Sequence, residues 1–209
     1  MIFKDRRQAA NKLLALLKKD LQLKQTKPII ISLLRGGVVL GSLIATKLKT
    51  QHLPLAVVKI PAPANPELAI GAICFDITYL ENKVIAWLNL PKRAVTDQIK
   101  VAQHKFLEYC QRFGLQENSY RKLTNKVVVL VDDGIATGAS VKAALLFLRS
   151  RGVAKIILAA PVGPADTDFF GFDKTYFLHQ PASFGAVSQF YKHFPQITDQ
   201  EVKRLLLTN

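Results

Sequence analysis

A chain of 209 residues, 49% hydrophobic and 21% charged, is long enough to bury a core without disulfides or metals and lies far from disordered composition. The net charge is +14, and residues 1–50 hold 11 Lys/Arg against 2 Asp/Glu, so most of the excess sits in the first quarter. Two cysteines, Cys74 and Cys110, exclude a disulfide framework and lack metal-ligand spacing. The start of the chain turns polar at Lys4, and no apolar run approaches the roughly 20 residues of a membrane span, which predicts a soluble cytoplasmic protein with reduced thiols.

From Phe3 to Gln22, apolar Phe3, Ala10, Leu13, Leu14, Leu17 and Leu21 recur at helical spacing, while Lys4, Arg7, Lys12, Lys18 and Lys19 fall largely elsewhere. The pattern predicts an N-terminal surface helix within about 3–23 whose outer face is basic. Such a face is either merely solvated or attracts anionic substrates or nucleic acid. Next comes a short β-branched run, Pro28–Leu34, read as a buried strand that leads through Arg35-Gly36-Gly37 into a helix over Val38–Lys49. A strand over Leu55–Ile60 precedes a proline-rich turn, Pro61–Pro66. Further strands are expected at Ala69–Phe75 and Val84–Leu88, divided by a turn at Glu81-Asn82-Lys83, and a helix over Pro91–Phe113 ends at Gly114. After the linker Leu115–Lys126 come an aliphatic strand, Val127–Val131, the loop Asp132–Gly138 and a helix to Arg151. A last core strand spans Ala154–Ala160, and the tail ends in a short amphipathic helix, Asp199–Leu207.

Strands alternating with helices predict an α/β fold, an open and mostly parallel sheet with helices on both faces. One domain is expected over 1–209, with a core of about 25–163 and a small cap or hood formed by about 164–209.

In an open α/β sheet, ligands bind beyond the carboxyl ends of the strands. Val127–Ser140 has the order such a site needs: an aliphatic strand, two carboxylates, then Gly134-Ile135-Ala136-Thr137-Gly138-Ala139-Ser140 opening a helix. Small residues let backbone amides approach an anion, the helix N-terminus adds about half a positive charge, and Thr137 and Ser140 offer hydroxyls. A phosphate suits this cradle. Asp132 and Asp133 would repel one, so they predict partners that donate hydrogen bonds, such as ribose hydroxyls, or a divalent cation.

Val-Val-Leu-Val-Asp-Asp-Gly-Ile-Ala-Thr-Gly-Ala-Ser, residues 128–140, resembles the 13-residue phosphoribosyl-pyrophosphate motif of type I phosphoribosyltransferases. The resemblance extends over most of the chain. Arg35-Gly36-Gly37 falls where that family places its pyrophosphate loop, and Pro66–Ala72 together with Gln180–Phe194 resembles a bacterial subgroup of predicted phosphoribosyltransferases. The chain departs from that subgroup at Leu34, where Pro is usual.

The resemblance implies that Asp132 and Asp133 bind the ribose hydroxyls, with Mg²⁺ held nearby and indirectly. It further implies that Gly134 and Ala136–Ser140 hold the 5-phosphate and that Arg35, Gly36, Gly37 and Lys59 serve the pyrophosphate. Arg35 and Asp133 are then the candidates for the chemistry. The family often carries a non-proline cis peptide in the pyrophosphate loop, which would fall at Leu34–Arg35. Displacement of pyrophosphate from ribose C1 by a nitrogen nucleophile needs water kept out, and loops in 61–95 or 115–124 could close, bringing Lys92, Arg93, Arg121 or Lys122 toward a phosphate. Alternatively these four are solvated loop charges.

Enzymes of the family that act on 6-oxopurines generally place an aspartate where this chain has Ala136, which disfavours hypoxanthine and guanine as acceptors. Phe184, His179, Phe190 and Tyr191 could line an acceptor pocket or simply pack the cap. His52, His104 and His193 show no catalytic pairing and are expected at the surface. Two alternatives use the same loop: a non-catalytic phosphoribosyl-pyrophosphate-binding regulator that binds nucleic acid through the basic N-terminal quarter, and a phosphotransferase of the pyrophosphate-synthetase type. No nucleic-acid-binding motif supports the first. The family is often homodimeric, which sets a dimer as the expectation.

Overall fold

The computed structural model describes residues 2–207. In chain order the elements are α1 (Arg6–Leu17), α2 (Leu21–Thr26), β1 (Ile29–Leu33), α3 (Gly37–Leu48), β2 (His52–Leu55), β3 (Val58–Ala62), β4 (Asn65–Cys74) and β5 (Ile77–Leu80). Then follow α4 (Asn82–Trp87), α5 (Lys92–Phe113), β6 (Val127–Val131), α6 (Ala139–Ser150), β7 (Lys155–Val162), β8 (Lys174–His179) and α7 (Asp199–Leu207). They form two compact units. One contains the chain up to Leu55, Leu123–Ala136 and everything from Gly152 on; the other contains Ala56–Lys122 and Thr137–Arg151. Among the described residues no helix is long and apolar enough to cross a membrane.

The first unit is built on five parallel strands in the order β2-β1-β6-β7-β8. β1 and β6 are buried along nearly their whole length, which is why they read as unbroken aliphatic runs. Helices α1 and α3 pack on each other, α3 also on β1, β2 and β6, and α1 on β7 and β8. The stripe Ala10, Leu13, Leu14 and Leu17 thereby joins Leu40, Ile44, Val129, Val131 and Ile157 in one core. Lys4, Arg7, Lys12, Lys18 and Lys19 are exposed, as the periodicity predicts, whereas the Leu21 side chain lies outside the described residues.

The N-terminal helix is shorter than its apolar pattern. Asp5 caps it, accepting from the Gln8 amide at 2.8 Å, while the Gln8 side chain reaches back to the Lys4 amide at 2.7 Å. Phe3 therefore precedes the helix and forms a parallel bridge with Tyr191. The helix stops before Asp20, a buried carboxylate that accepts from Lys174 Nζ at 3.0 Å and from the Tyr176 hydroxyl.

Two further expectations are corrected here. Within the region read as a cap, Lys174–His179 is instead β8, the edge strand of the parallel sheet. The last core strand does not end at Ala160 either; β7 runs on through Pro161 to Val162, which lies opposite His179 in the pairing with β8.

The second unit holds the antiparallel sheet β3-β4-β5, with α5 against β3 and β4 and α6 against β4 and β5. The stretch read as one strand, Leu55–Ile60, is divided: Leu55 ends β2 of the parallel sheet and Val58 starts β3. Most of the proline-rich stretch is β structure too, since only Pro63-Ala64 separates β3 from β4. Val84–Leu88 is not a strand. Val84 and Ile85 amides bond to the Glu81 carbonyl at 2.9 and 3.0 Å, making the helix α4 and leaving Trp87 75% exposed. A short β-branched run does not distinguish strand from helix by itself. The core of this unit is aromatic, with Phe75 stacked on Phe147 at 4.9 Å and edge-on to Phe106 and Tyr120 at 5.1 and 5.3 Å. Burial pushes the Cys74 and Cys110 thiols up, which makes neither a ready nucleophile.

His52, expected at the surface, is buried in β2. Its Nε2 lies 2.7 Å from Ser32 Oγ, and its Nδ1 has no hydrogen-bond partner among the described residues. Burial lowers its pKa from 6.5 to about 4. The unfolded chain therefore takes up the proton first as pH falls, so this contribution to stability is complete above 6.5 and is lost between 6.5 and about 4. The loss should reach about 3 kcal/mol. Urea unfolding at pH 7.5 and 4.5 is expected to show wild type losing more stability than His52→Gln; equal losses would contradict it.

Candidate active site

The strand order reverses between β1 and β6, with β2 beyond one and β7 beyond the other. These two strands are hydrogen-bonded neighbours, Ser32 opposite Val131, so the loops leaving their carboxyl ends emerge side by side. After β1 the Leu34–Arg35 peptide is cis, at the position the family resemblance implies. Gly36 and Gly37 then start α3 hard against the β6 loop. A Cβ at Gly36 would stand 1.9 Å from Asp133 Oδ2, and one at Gly37 would stand 2.8 Å from the Val131 carbonyl and 3.0 Å from Asp132 Oδ1. Both glycines are thus demanded by the approach of backbone to carboxylates.

Asp132 and Asp133 follow β6 directly. The Asp133 amide donates to Asp132 Oδ1 at 2.8 Å, and Asp133 Oδ2 accepts from Arg6 Nε at 2.7 Å. Arg6, in the first turn of α1, is itself buried, donates from Nη1 to the Pro195 carbonyl at 2.7 Å and lies 3.7 Å from the centre of the Phe194 ring. The Tyr191 hydroxyl donates to the Asp133 carbonyl, and burial, then the Asp133 charge, pushes that phenol up. Burial also pushes the Asp133 carboxyl up, while Arg6, the Asp132 side chain and its own backbone amide oppose the shift.

Arg6 and Tyr191 as partners of Asp133 escape a reading of the sequence because they lie 127 and 58 residues away. One signal for Arg6 was present: with Ala10, Leu13 and Leu17 it falls on the apolar stripe of α1, where a cation is buried only beside a partner.

Beyond Asp133 the loop is pinned by the Ile135 amide, which donates to the Val162 carbonyl at 2.9 Å, and at Gly134, where a Cβ would meet Val187 Cγ1 at 2.3 Å. The chain passes into the second unit between Ala136 and Thr137. Gly138 takes a left-handed conformation, φ 83°, and caps α6. The first turn of α6 has no acidic residue and no side-chain cap, Thr137 is exposed and Ser140 half-buried, while Ala139 is buried. An uncapped helix N-terminus after a glycine turn is a ready anion cradle.

Of the other predicted residues, Arg35 bonds from Nη1 to Asp199 Oδ1 of α7 at 3.2 Å. Lys59 lies in the second unit, exposed on β3, and Lys92, Arg93, Arg121 and Lys122 are exposed in that unit as well. His179 meets Phe190 edge-on at 5.6 Å, and Phe184 stacks on Phe190 at 5.2 Å, so these acceptor-pocket candidates form one aromatic cluster. His104 and His193 are exposed, as expected. Among the described residues no three His, Cys, Asp or Glu side chains group as metal ligands.

The phosphoribosyl transferase domain model matches residues 79–186, just over half of the chain. A predicted phosphoribosyl transferase of Mycobacterium tuberculosis is 36% identical over 189 residues, which is 88% of this chain and 42% of that protein. The chain thus spans about two fifths of the length of the curated relatives it matches. Among solved structures, a protein from Thermus thermophilus superposes with a TM-score of 0.74 at 29% identity, covering 99% of this chain and 98% of that one. A purine phosphoribosyltransferase from Pyrococcus horikoshii shares the fold, with a TM-score of 0.50 at 15% identity over 91% and 93% of the two chains. Carrying the motif on neighbouring strand ends and matching the family model over half its length, the chain belongs to the phosphoribosyl transferase domain family.

Proposed function

We propose that this protein is a phosphoribosyltransferase that binds 5-phosphoribosyl 1-pyrophosphate with Mg²⁺ through a single functional domain. In this reading it transfers the phosphoribosyl group to a nitrogenous acceptor and releases pyrophosphate. The observation that carries the reading is the side-by-side emergence of the Leu34–Gly37 and Asp132–Gly138 loops from β1 and β6. Asp132 and Asp133 accept from the ribose hydroxyls. The amides of Ala136–Ser140, with the Thr137 and Ser140 hydroxyls, hold the 5-phosphate, each charge-assisted bond contributing about 1.5–3 kcal/mol.

As the bond from C1 to the pyrophosphate oxygen breaks, negative charge grows on the leaving group, and Arg35 with the Gly36 and Gly37 amides stabilises it. Mg²⁺ suits the donor set: two adjacent carboxylates, with no third ligand grouped with them among the described residues, match an ion that takes most of its oxygens from water and substrate phosphates, and it would supply Lewis-acid stabilisation when bound. The acceptor packs against Phe184, His179 and Phe190, and Ala136, without the carboxylate that enzymes acting on 6-oxopurines generally place there, disfavours 6-oxopurines.

Incubation of phosphoribosyl pyrophosphate and Mg²⁺ with a panel of purine and pyrimidine bases and amines is expected to release pyrophosphate with at least one acceptor. Arg35→Ala should slow that reaction about 10²-fold or more, as loss of one transition-state donor does. Tight ligand binding without release for any acceptor would overturn transfer and favour the regulatory role.

A further inference from the structure

We propose that Asp199, the first residue of α7, is a positioning residue that aligns Arg35 on the leaving pyrophosphate. The inference rests on the reading of Arg35 as the side chain that stabilises that leaving group. Arg35 donates from Nη1 to Asp199 Oδ1 at 3.2 Å, and its guanidinium takes no other hydrogen-bond partner among the described residues. A guanidinium offers five N–H donors in a planar fork, so one bond to Asp199 orients the fork and leaves the remaining donors for phosphate oxygens. The two side chains are 28% and 32% exposed. A pair so open to solvent contributes little to folding, and an anion arriving from solvent can reach it.

Asp199 is itself held in place. Thr198 and Glu201 cap α7 reciprocally: the Thr198 amide donates to Glu201 Oε2 at 2.9 Å and the Glu201 amide to Thr198 Oγ1 at 3.2 Å. Ile197 and Val202 are buried on either side of that start, and α7 packs on α3, the helix that Arg35 leads into through Gly36 and Gly37. Both members of the pair are thus tied to the same helix. Without a partner the long Arg35 side chain would spread over many rotamers, and fixing it at each turnover would cost entropy. With one, it is already oriented when charge grows on the leaving group. The Asp199 charge also opposes ground-state binding of an anion beside Arg35. The residue therefore favours rate over affinity, which separates it from an acid that merely complements the α7 dipole.

The test compares the full chain with Asp199→Ala, Arg35→Ala and the double variant. Pyrophosphate release from phosphoribosyl pyrophosphate and Mg²⁺ is measured with the acceptor that wild type uses. In Asp199→Ala, kcat should fall about tenfold or more while KM for phosphoribosyl pyrophosphate does not rise. In the Arg35→Ala background the same substitution should cause no further loss. Nitrogen-15 relaxation of the Arg35 side chain, assigned by its absence in Arg35→Ala, should show it ordered in ligand-free wild type and mobile in Asp199→Ala. If Asp199→Ala does not fold, Asp199→Asn, which keeps an acceptor oxygen and loses the charge, should give the same pattern with a smaller fall in kcat. Losses that add in the double variant, a rise in KM without a fall in kcat, or an Arg35 side chain equally ordered in wild type and Asp199→Ala would each overturn the proposal. Wild type that releases no pyrophosphate with any acceptor would overturn the transfer reading and the role that rests on it, an outcome distinct from a working wild type that Asp199→Ala leaves unaffected.

Discussion

Gly36→Ala is expected to abolish phosphoribosyl-pyrophosphate binding and to lower the thermal midpoint. The added Cβ would lie 1.9 Å from Asp133 Oδ2, 2.5 Å from its Cγ and 2.9 Å from Oδ1, so the whole carboxylate would have to move. It cannot swing away cheaply, because Arg6 Nε holds Oδ2 at 2.7 Å and Arg6 is anchored by Pro195 and Phe194. Overpacking of this kind costs about 1–3 kcal/mol, and breaking a buried ion pair costs about 3–5 kcal/mol. At about 2–4 °C per kcal/mol for a chain of this size, calorimetry should show a fall of roughly 2–12 °C from overpacking alone and roughly 6–20 °C where the ion pair breaks, together with loss of ligand binding. Gly114→Ala is the comparison: it strains a left-handed helix end, φ 63°, but its Cβ meets nothing within 4 Å, so binding should be unchanged. Equal ligand affinity in wild type and Gly36→Ala would contradict the close approach of the two loops.

Phe147→Ala is expected to cost about 3–5 kcal/mol, the range for removing a fully buried aromatic ring. Phe147 is 0% exposed, stacks on Phe75 at 4.9 Å, meets Tyr120 edge-on at 5.3 Å and carries the Arg151 guanidinium 4.8 Å from its centre. The neighbouring rings are already engaged, Phe75 by Phe106 and Tyr120, and Tyr120 by Phe75, so they fill the space poorly. Urea unfolding should register the loss, whereas Phe170→Ala, at a ring 86% exposed, should change stability by less than about 0.5 kcal/mol. Similar effects of the two substitutions would contradict the aromatic core of the second unit.

What could be read from the sequence follows from how local each signal is. Val127–Val131 and the glycine-rich loop after it are legible because a doubly buried strand, a carboxylate pair and a helix start are consecutive in the chain. The Arg35-Gly36-Gly37 loop is legible by resemblance, yet the reason for its glycines is not, because that reason is a carboxylate almost a hundred residues on. Val84–Leu88 misleads because side-chain type favours a strand while hydrogen bonds to Glu81 make a helix. β8 is hidden in a tail rich in Gly, Pro and aromatics, and its pairing with β7 is purely a tertiary property. His52 looks like a surface histidine until Ser32, twenty residues earlier, is placed beside it by the β1–β2 register. Arg6 shows both sides of this. Its position on the apolar stripe signals burial, but only the fold supplies Asp133 as its partner.

The most direct test of the account is a calorimetric titration of phosphoribosyl pyrophosphate into the wild-type protein with Mg²⁺, repeated with chelator and with Asp133→Asn. The account predicts saturable binding with Mg²⁺ at a one-to-one ratio, weakened by the chelator and by at least about tenfold in Asp133→Asn, where a charge-assisted bond to ribose is lost. Absence of saturable binding to wild type at millimolar ligand, or equal binding by Asp133→Asn, would contradict it.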